Sequence, residues 1–213
     1  MSMAANSVVR VPRLWPGETV VILGGGPSLT PADVNFCRDK ARVIAIKEAH
    51  RLAPWADAIY AADYKWWRFF RGVPEFDGLK YAIEQSGDQA PVNWALWPDI
   101  HVIRQTGAEG LELDSSGLRT GYNSGYQAVN LAYHLAGRTR IVLLGFDMWT
   151  GESGDQNWFG PHPLHTPSPY PVFLHAFKTI EQPLKEAGVQ VVNASRFTVM
   201  NSFPRVSLQE ALA

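Results

Sequence analysis

A single cysteine, Cys37, stands in 213 residues. That excludes an intramolecular disulfide and makes a reducing, cytoplasmic setting the expectation. No apolar run approaches the roughly 20 residues of a membrane-spanning helix, so no membrane partner is expected. Met1 to Arg10 lacks the apolar centre of a signal peptide, and residues 1–18 read as a tail. Charge carries no signature either: 20 acidic against 19 basic residues exclude the general electrostatic footprint of a nucleic-acid binder. No Cys/His cluster has ligand spacing, and no paired-aspartate motif of the kind that holds a nucleotide's divalent ion is present, so no metal or cofactor is expected. With no internal repeat and no low-complexity linker, residues 19–213 read as one domain.

What is present is a strand running into three glycines. Val20 to Leu23 is a continuous apolar, β-branched run, as expected of a buried parallel strand, and Gly24, Gly25, Gly26, Pro27 and Ser28 follow it. Glycines there can take positive φ and let backbone approach a ligand. Thr30 is a good N-cap, Pro31 suits a first helical position, and Asp33 completes a capping-box-like spacing. Free amides at such a helix start favour an anion. The turn lacks the Gly-Lys-Ser/Thr ending of a P-loop. A dinucleotide fingerprint would want a glycine at Leu29, although Glu48 sits where a ribose-binding acid would follow a second strand. A tight turn with no ligand is the plain alternative.

The pattern then repeats. Arg42 to Ile46, Ala58 to Ala62, Leu79 to Ile83, Ile100 to Ile103, Arg140 to Leu144 and Val189 to Asn193 read as strands. Tyr122 to Ala136 and Pro171 to Ala187 read as helices, the second bent or restarted at Pro183. Strand and helix in alternation predict an α/β, Rossmann-like, mainly parallel sheet with helices on both faces. Ligands bind such sheets beyond the carboxyl ends of the strands, which nominates the glycine turn, Lys47, Asp63, Ser124 with Gly125, and Asp147. Lys47 would meet a phosphate as a point charge.

Gly145 to Tyr170 is the most irregular stretch, with four glycines, four prolines and two histidines, His162 and His165. Loops of this length are uncommon unless they act as lids. The segment is expected to be a lid, partly mobile without ligand, that carries His162 as general base, with His165 next in order.

Gly24 to Leu29, Asp63-Tyr64-Lys65-Trp66-Trp67, Asn123-Ser124-Gly125, Gly145-Phe146-Asp147 and Trp158 to Pro163 together carry a resemblance. Val191 to Ser195 and Ser202-Phe203-Pro204 extend it. The combination resembles small, often phage-encoded proteins related to the motility accessory factor and 6-hydroxymethylpterin diphosphokinase-like family, and more distantly bacterial sialyltransferases. The resemblance implies a nucleotide or nucleotide-sugar ligand, a metal-independent glycosyltransferase-like reaction on an unknown acceptor, and His162 as the base. For a phage-encoded member the setting is the host cytoplasm. Gly25 stands where the sialyltransferases have the turn asparagine, and Lys47 where an asparagine follows the second strand. Diphosphokinase-type transfer is the alternative within the same class, those two departures favour a non-catalytic nucleotide binder, and an interaction protein with an empty site is a third reading.

Overall fold

In the computed structural model, which describes residues 9–84, 92–152, 154–161, 164 and 167–213, eight strands form one parallel sheet. They are β1 (Val20–Leu23), β2 (Arg42–Ile46), β3 (Ala58–Tyr60), β4 (Leu79–Ile83), β5 (Ile100–Gln105), β6 (Gly117–Leu118), β7 (Arg140–Leu144) and β8 (Gln190–Asn193). Their order across the sheet is β6-β5-β4-β3-β2-β1-β7-β8. The chain winds outward from β1 to β6, then returns to place β7 on the other side of β1. The register sets Val20 opposite both Arg42 and Ile141. The reversal between β1 and β7 is the switch point at which open α/β sheets bind ligands.

Both faces are covered, which is why β1 is apolar without alternation. Val20 and Ile22 pack on one side with α3 (Ser124–Ala136) and α4 (Tyr170–Glu186). Val21 and Leu23 pack on the other with α1 (Pro31–Cys37), α2 (Tyr64–Phe69) and the short α5 (Leu208–Ala211). Every side chain of β1 is fully buried, and each such residue contributes roughly 1.5–3 kcal/mol of apolar burial.

Local chemistry places the helix ends. Thr30 Oγ1 accepts the Asp33 amide at 3.2 Å and donates to the Asp33 carboxylate at 2.6 Å, so α1 starts at Pro31 as expected. α3 starts at Ser124 rather than Tyr122, because Asn123 turns its Oδ1 onto the Tyr126 amide at 2.8 Å as N-cap. Gly137, at φ +73°, ends it. α4 runs through Pro183 without restarting and stops three residues later. Of the expected tail, residues from Val9 onward are packed: Val11 and Trp15 are buried, and Val9 donates its amide to the Val102 carbonyl at 3.0 Å. No helix among the described residues is long and apolar enough to cross a membrane.

Candidate functional site at the switch point

The glycine turn is built differently from the expectation. None of Gly24, Gly25 and Gly26 has positive φ, whereas Gly145, packed against Gly24, is at +73°. Gly24 and Gly26 are glycine because β1 and β7 stay zipped beyond their last strand residues. The Gly24 amide donates to the Leu144 carbonyl at 2.7 Å, and the Gly26 amide to the Gly145 carbonyl at 2.8 Å. A Cβ on Gly24 would lie 2.5 Å from the Gly145 oxygen, and one on Gly26 would fall on Asp147 Oδ1. Of the three, Gly25 meets no backbone: the nearest atom to its absent Cβ is the side-chain Oδ1 of Asn157, at 3.1 Å. The Gly25 amide has no acceptor among the described residues.

Ser28 and Asp147 form a closed unit behind this turn. Ser28 donates its amide to Asp147 Oδ2 at 2.7 Å and its hydroxyl to Oδ1 at 2.8 Å. Burial pushes the Asp147 carboxyl up from the usual aspartate value, and the two bonds from Ser28 oppose the rise. Asp147 nonetheless borders the cavity described below, whereas Pro27, Ser28 and the start of α1 do not. The helix start that faces the cavity is that of α3. The Ser124 and Gly125 amides have no acceptor among the described residues. The Ser124 hydroxyl accepts the Ala62 amide at 3.2 Å and keeps its proton to donate. A Cβ on Gly125 would sit 2.7 Å from Phe146 Cε1, so this glycine lets α3 close onto the β7 end.

Beside the turn, at the ends of β2 and β3, Lys47 forms an ion pair with Asp63, each side chain about one-third exposed (34% and 30%). Glu48 is buried and accepts the Trp66 indole N–H at 2.8 Å. Lys47, Tyr122 and Met148 adopt positive φ, at +50°, +59° and +53°. Such backbone costs a non-glycine residue on the order of 1–3 kcal/mol, and it concentrates where function needs a particular shape. All three residues border the same cavity.

That cavity has a volume of about 600 Å³, inside the range for small-molecule sites. It brings together Gly24 to Gly26, Lys47, Asp63, Ser124, Gly125 and Asp147 from the sequence reading. Gln105, Thr120, Tyr122, Asn157 and Tyr170 also line it and were not foreseen. Gln105 ends β5, so the strand-end rule would have found it had the strand been read two residues longer. Thr120, Tyr122 and Asn157 lie in irregular segments with no period to read, and Tyr170 is the first residue of α4.

The long loop from Gly145 rests on the glycine turn. Trp158 donates its amide to the Gly25 carbonyl at 3.0 Å, and the Arg51 guanidinium lies 5.8 Å from the centre of its ring. Within the loop, Gln156 accepts the Ser168 amide at 3.1 Å. Asn157, Phe159, Leu164 and Pro167 to Tyr170 form the cavity's roof. His162 and His165 lie outside the described residues. Among the described residues no group of three or more His, Cys, Asp or Glu is placed to hold a metal ion.

Comparison with protein-family models, curated proteins and solved structures finds no match for this chain.

Proposed function

We propose that the switch-point cavity binds a nucleotide or nucleotide sugar, and that the protein transfers the activated group to an acceptor hydroxyl. One observation carries the reading: the amides of Gly25, Ser124 and Gly125, which have no acceptor among the described residues, and the Ser124 proton border one cavity at the carboxyl ends of β1 and β7. Fixed N–H dipoles at a helix start suit a phosphate, and they stabilise charge that builds up on a departing one. In the reaction, an acceptor oxygen bonds to the anomeric carbon as the bond from that carbon to the nucleotide phosphate breaks. His162 takes the acceptor's proton, and the electron pair leaves on the phosphate.

Diphosphokinase-type transfer has less support. It normally uses magnesium, and the two candidate carboxylates are already engaged, Asp63 with Lys47 and Asp147 with Ser28. A binder without turnover is favoured by the same economy, since Asp147 at the cavity floor is held as a structural acceptor and not as a base.

The test is a thermal-shift screen of the wild-type protein against nucleoside mono-, di- and triphosphates and nucleotide sugars. A ligand at a hundred times its dissociation constant stabilises by about 2.7 kcal/mol. A hit is then followed for release of free nucleotide with pooled acceptors. Release supports transfer; tight binding without release supports the binder.

A further inference from the structure

We propose that Asp63 reads a pair of neighbouring hydroxyl groups on the ligand, with Lys47 as the residue that positions it. The inference rests on the nucleotide reading above and names which part of the ligand this corner recognises.

Asp63 is the N-cap of α2. Aspartate at that position ordinarily accepts an amide of the first turn, worth about 1 kcal/mol. The caps of α1, α3 and α5 do so: Thr30, Asn123 and Ser207 each bond their own helix. Asp63 does not, and the Trp66 amide goes to its backbone carbonyl instead, at 3.0 Å. The carboxylate is turned to Lys47 and into the cavity wall. Lys47, for its part, holds φ at +50°. Two residues thus depart from local preference, and the departures meet in one ion pair on one cavity. Conflicts of this kind between local and global preference mark functional positions.

The chemistry follows from the free valences. Lys47 engages Asp63 Oδ2, whereas Oδ1 has no partner among the described residues. The pair is close to neutral, so it offers an anion little net attraction. An ionised carboxylate oxygen with open lone pairs is a strong acceptor for hydroxyl donors. Position agrees: β2 and β3 lie one and two strands from β1, or about 5–10 Å from the glycine turn at ordinary strand spacing. A phosphate at the Gly25 amide and a vicinal diol at Asp63 are therefore spanned by one phosphorylated sugar, either the ribose or the sugar to be transferred.

Isothermal titration of wild type, Asp63→Asn and Asp63→Ser tests this, the serine variant retaining a good cap for α2. The probes are ribonucleoside 5′-monophosphates, their 2′- and 3′-deoxy counterparts, and the common uridine, guanosine and cytidine nucleotide sugars. Wild type is expected to favour hydroxyl-bearing ligands by ~10–100-fold, the worth of a hydrogen bond to a charged group. Both variants should lose that preference while keeping affinity for the deoxy ligands, because the Gly25, Ser124 and Gly125 amides that meet the phosphate are unchanged. A preference for ribonucleotides over deoxynucleotides assigns the diol to ribose. A variant-sensitive gain confined to nucleotide sugars assigns it to the transferred sugar. Equal loss across hydroxyl-bearing and deoxy ligands, or no loss, overturns the role of Asp63 and leaves nucleotide binding standing. Failure of folded wild type to bind any probe overturns the nucleotide reading, and this inference with it.

Discussion

Ser28 gives both of its protons to one carboxylate, that of Asp147, and so ties the turn after β1 to the turn after β7 across 119 residues of chain. The tie holds the floor of the cavity. Ser28→Ala should cost about 1–3 kcal/mol, the penalty for losing a hydrogen bond to a charged group. The change should also alter the pH profile. Because the folded-state pKa of Asp147 is raised, its contribution is fully present below the unfolded value of 3.8 and is lost as pH rises through the folded value. Removing the Ser28 hydroxyl removes a lowering influence, so that loss should move to higher pH. Urea denaturation at closely spaced pH values measures both effects, and an unchanged midpoint in Ser28→Ala would count against the tie.

The glycine turn predicts a contrast within three consecutive positions. Gly26→Ala puts a methyl group onto Asp147 Oδ1 and within 2.7 Å of the Gly145 oxygen, where the backbone cannot give way. Overpacking of this kind costs typically 1–3 kcal/mol. Gly25→Ala meets only Asn157 Oδ1, at 3.1 Å, so its effect on stability should stay under about 1 kcal/mol. Gly25→Val should leave the fold intact yet displace Asn157 and block approach to the Gly25 amide, abolishing nucleotide binding. Thermal melts with and without nucleotide separate the two positions. Equal destabilisation by Gly25→Ala and Gly26→Ala would refute the packing explanation.

Physical periodicity decided what could be read from the chain. β1, β2 and β7 are buried on both faces, so they appear as Val/Ile/Leu runs, and their carboxyl ends located most of the cavity wall. α2 was not legible because Tyr64 to Phe69 is aromatic on nearly every side and buries Tyr64, Trp66 and Trp67 together, leaving no helical stripe. β6 is two residues long and owes its pairing with Arg104 and Gln105 to tertiary placement. A strand running into three glycines and a helix start reads locally as a phosphate loop. Its geometry depends on Gly145 and Asp147, more than a hundred residues away, and no local signal reports that. Of the two helix starts that the chain offers an anion, that of α3 at Ser124 and Gly125 borders the cavity and that of α1 does not.

His134 predicts acid sensitivity remote from the site. It is buried on α3 and donates from Nε2 to the Gly117 carbonyl at 2.9 Å, which holds β6 against the helix. Burial lowers its pKa below the ordinary 6.5, with the Gly117 bond acting the other way. The unfolded chain takes up a proton as pH falls through 6.5 and the folded protein resists, so stability is fully present above 6.5 and lost below it. His134→Gln can keep a donor near Gly117 without titrating. Its stability between pH 5 and 6.5 should therefore be flatter than that of wild type, though lower at neutral pH by about 1 kcal/mol. Matching slopes for the two proteins would assign the acid sensitivity elsewhere.

The two loop histidines separate catalysis from binding. The described part of the loop is attached at Gly25 through Trp158 and borders the cavity at Asn157, Phe159, Leu164 and Pro167 to Tyr170, so residues 162 and 165 lie in sequence between cavity-lining residues. If His162 is the base, His162→Ala should leave nucleotide affinity within a few-fold and reduce transfer by roughly 10²–10⁴, the usual worth of a general base. The wild-type rate should also fall with a single protonation as pH drops below the imidazole range, a limb absent from the variant. His165→Ala is the control, expected to keep that limb. Should His165→Ala lose the rate and His162→Ala retain it, the base is His165. If both variants turn over at the wild-type rate, proton removal belongs to another group or to the acceptor's own ionisation, and the roof serves to exclude water.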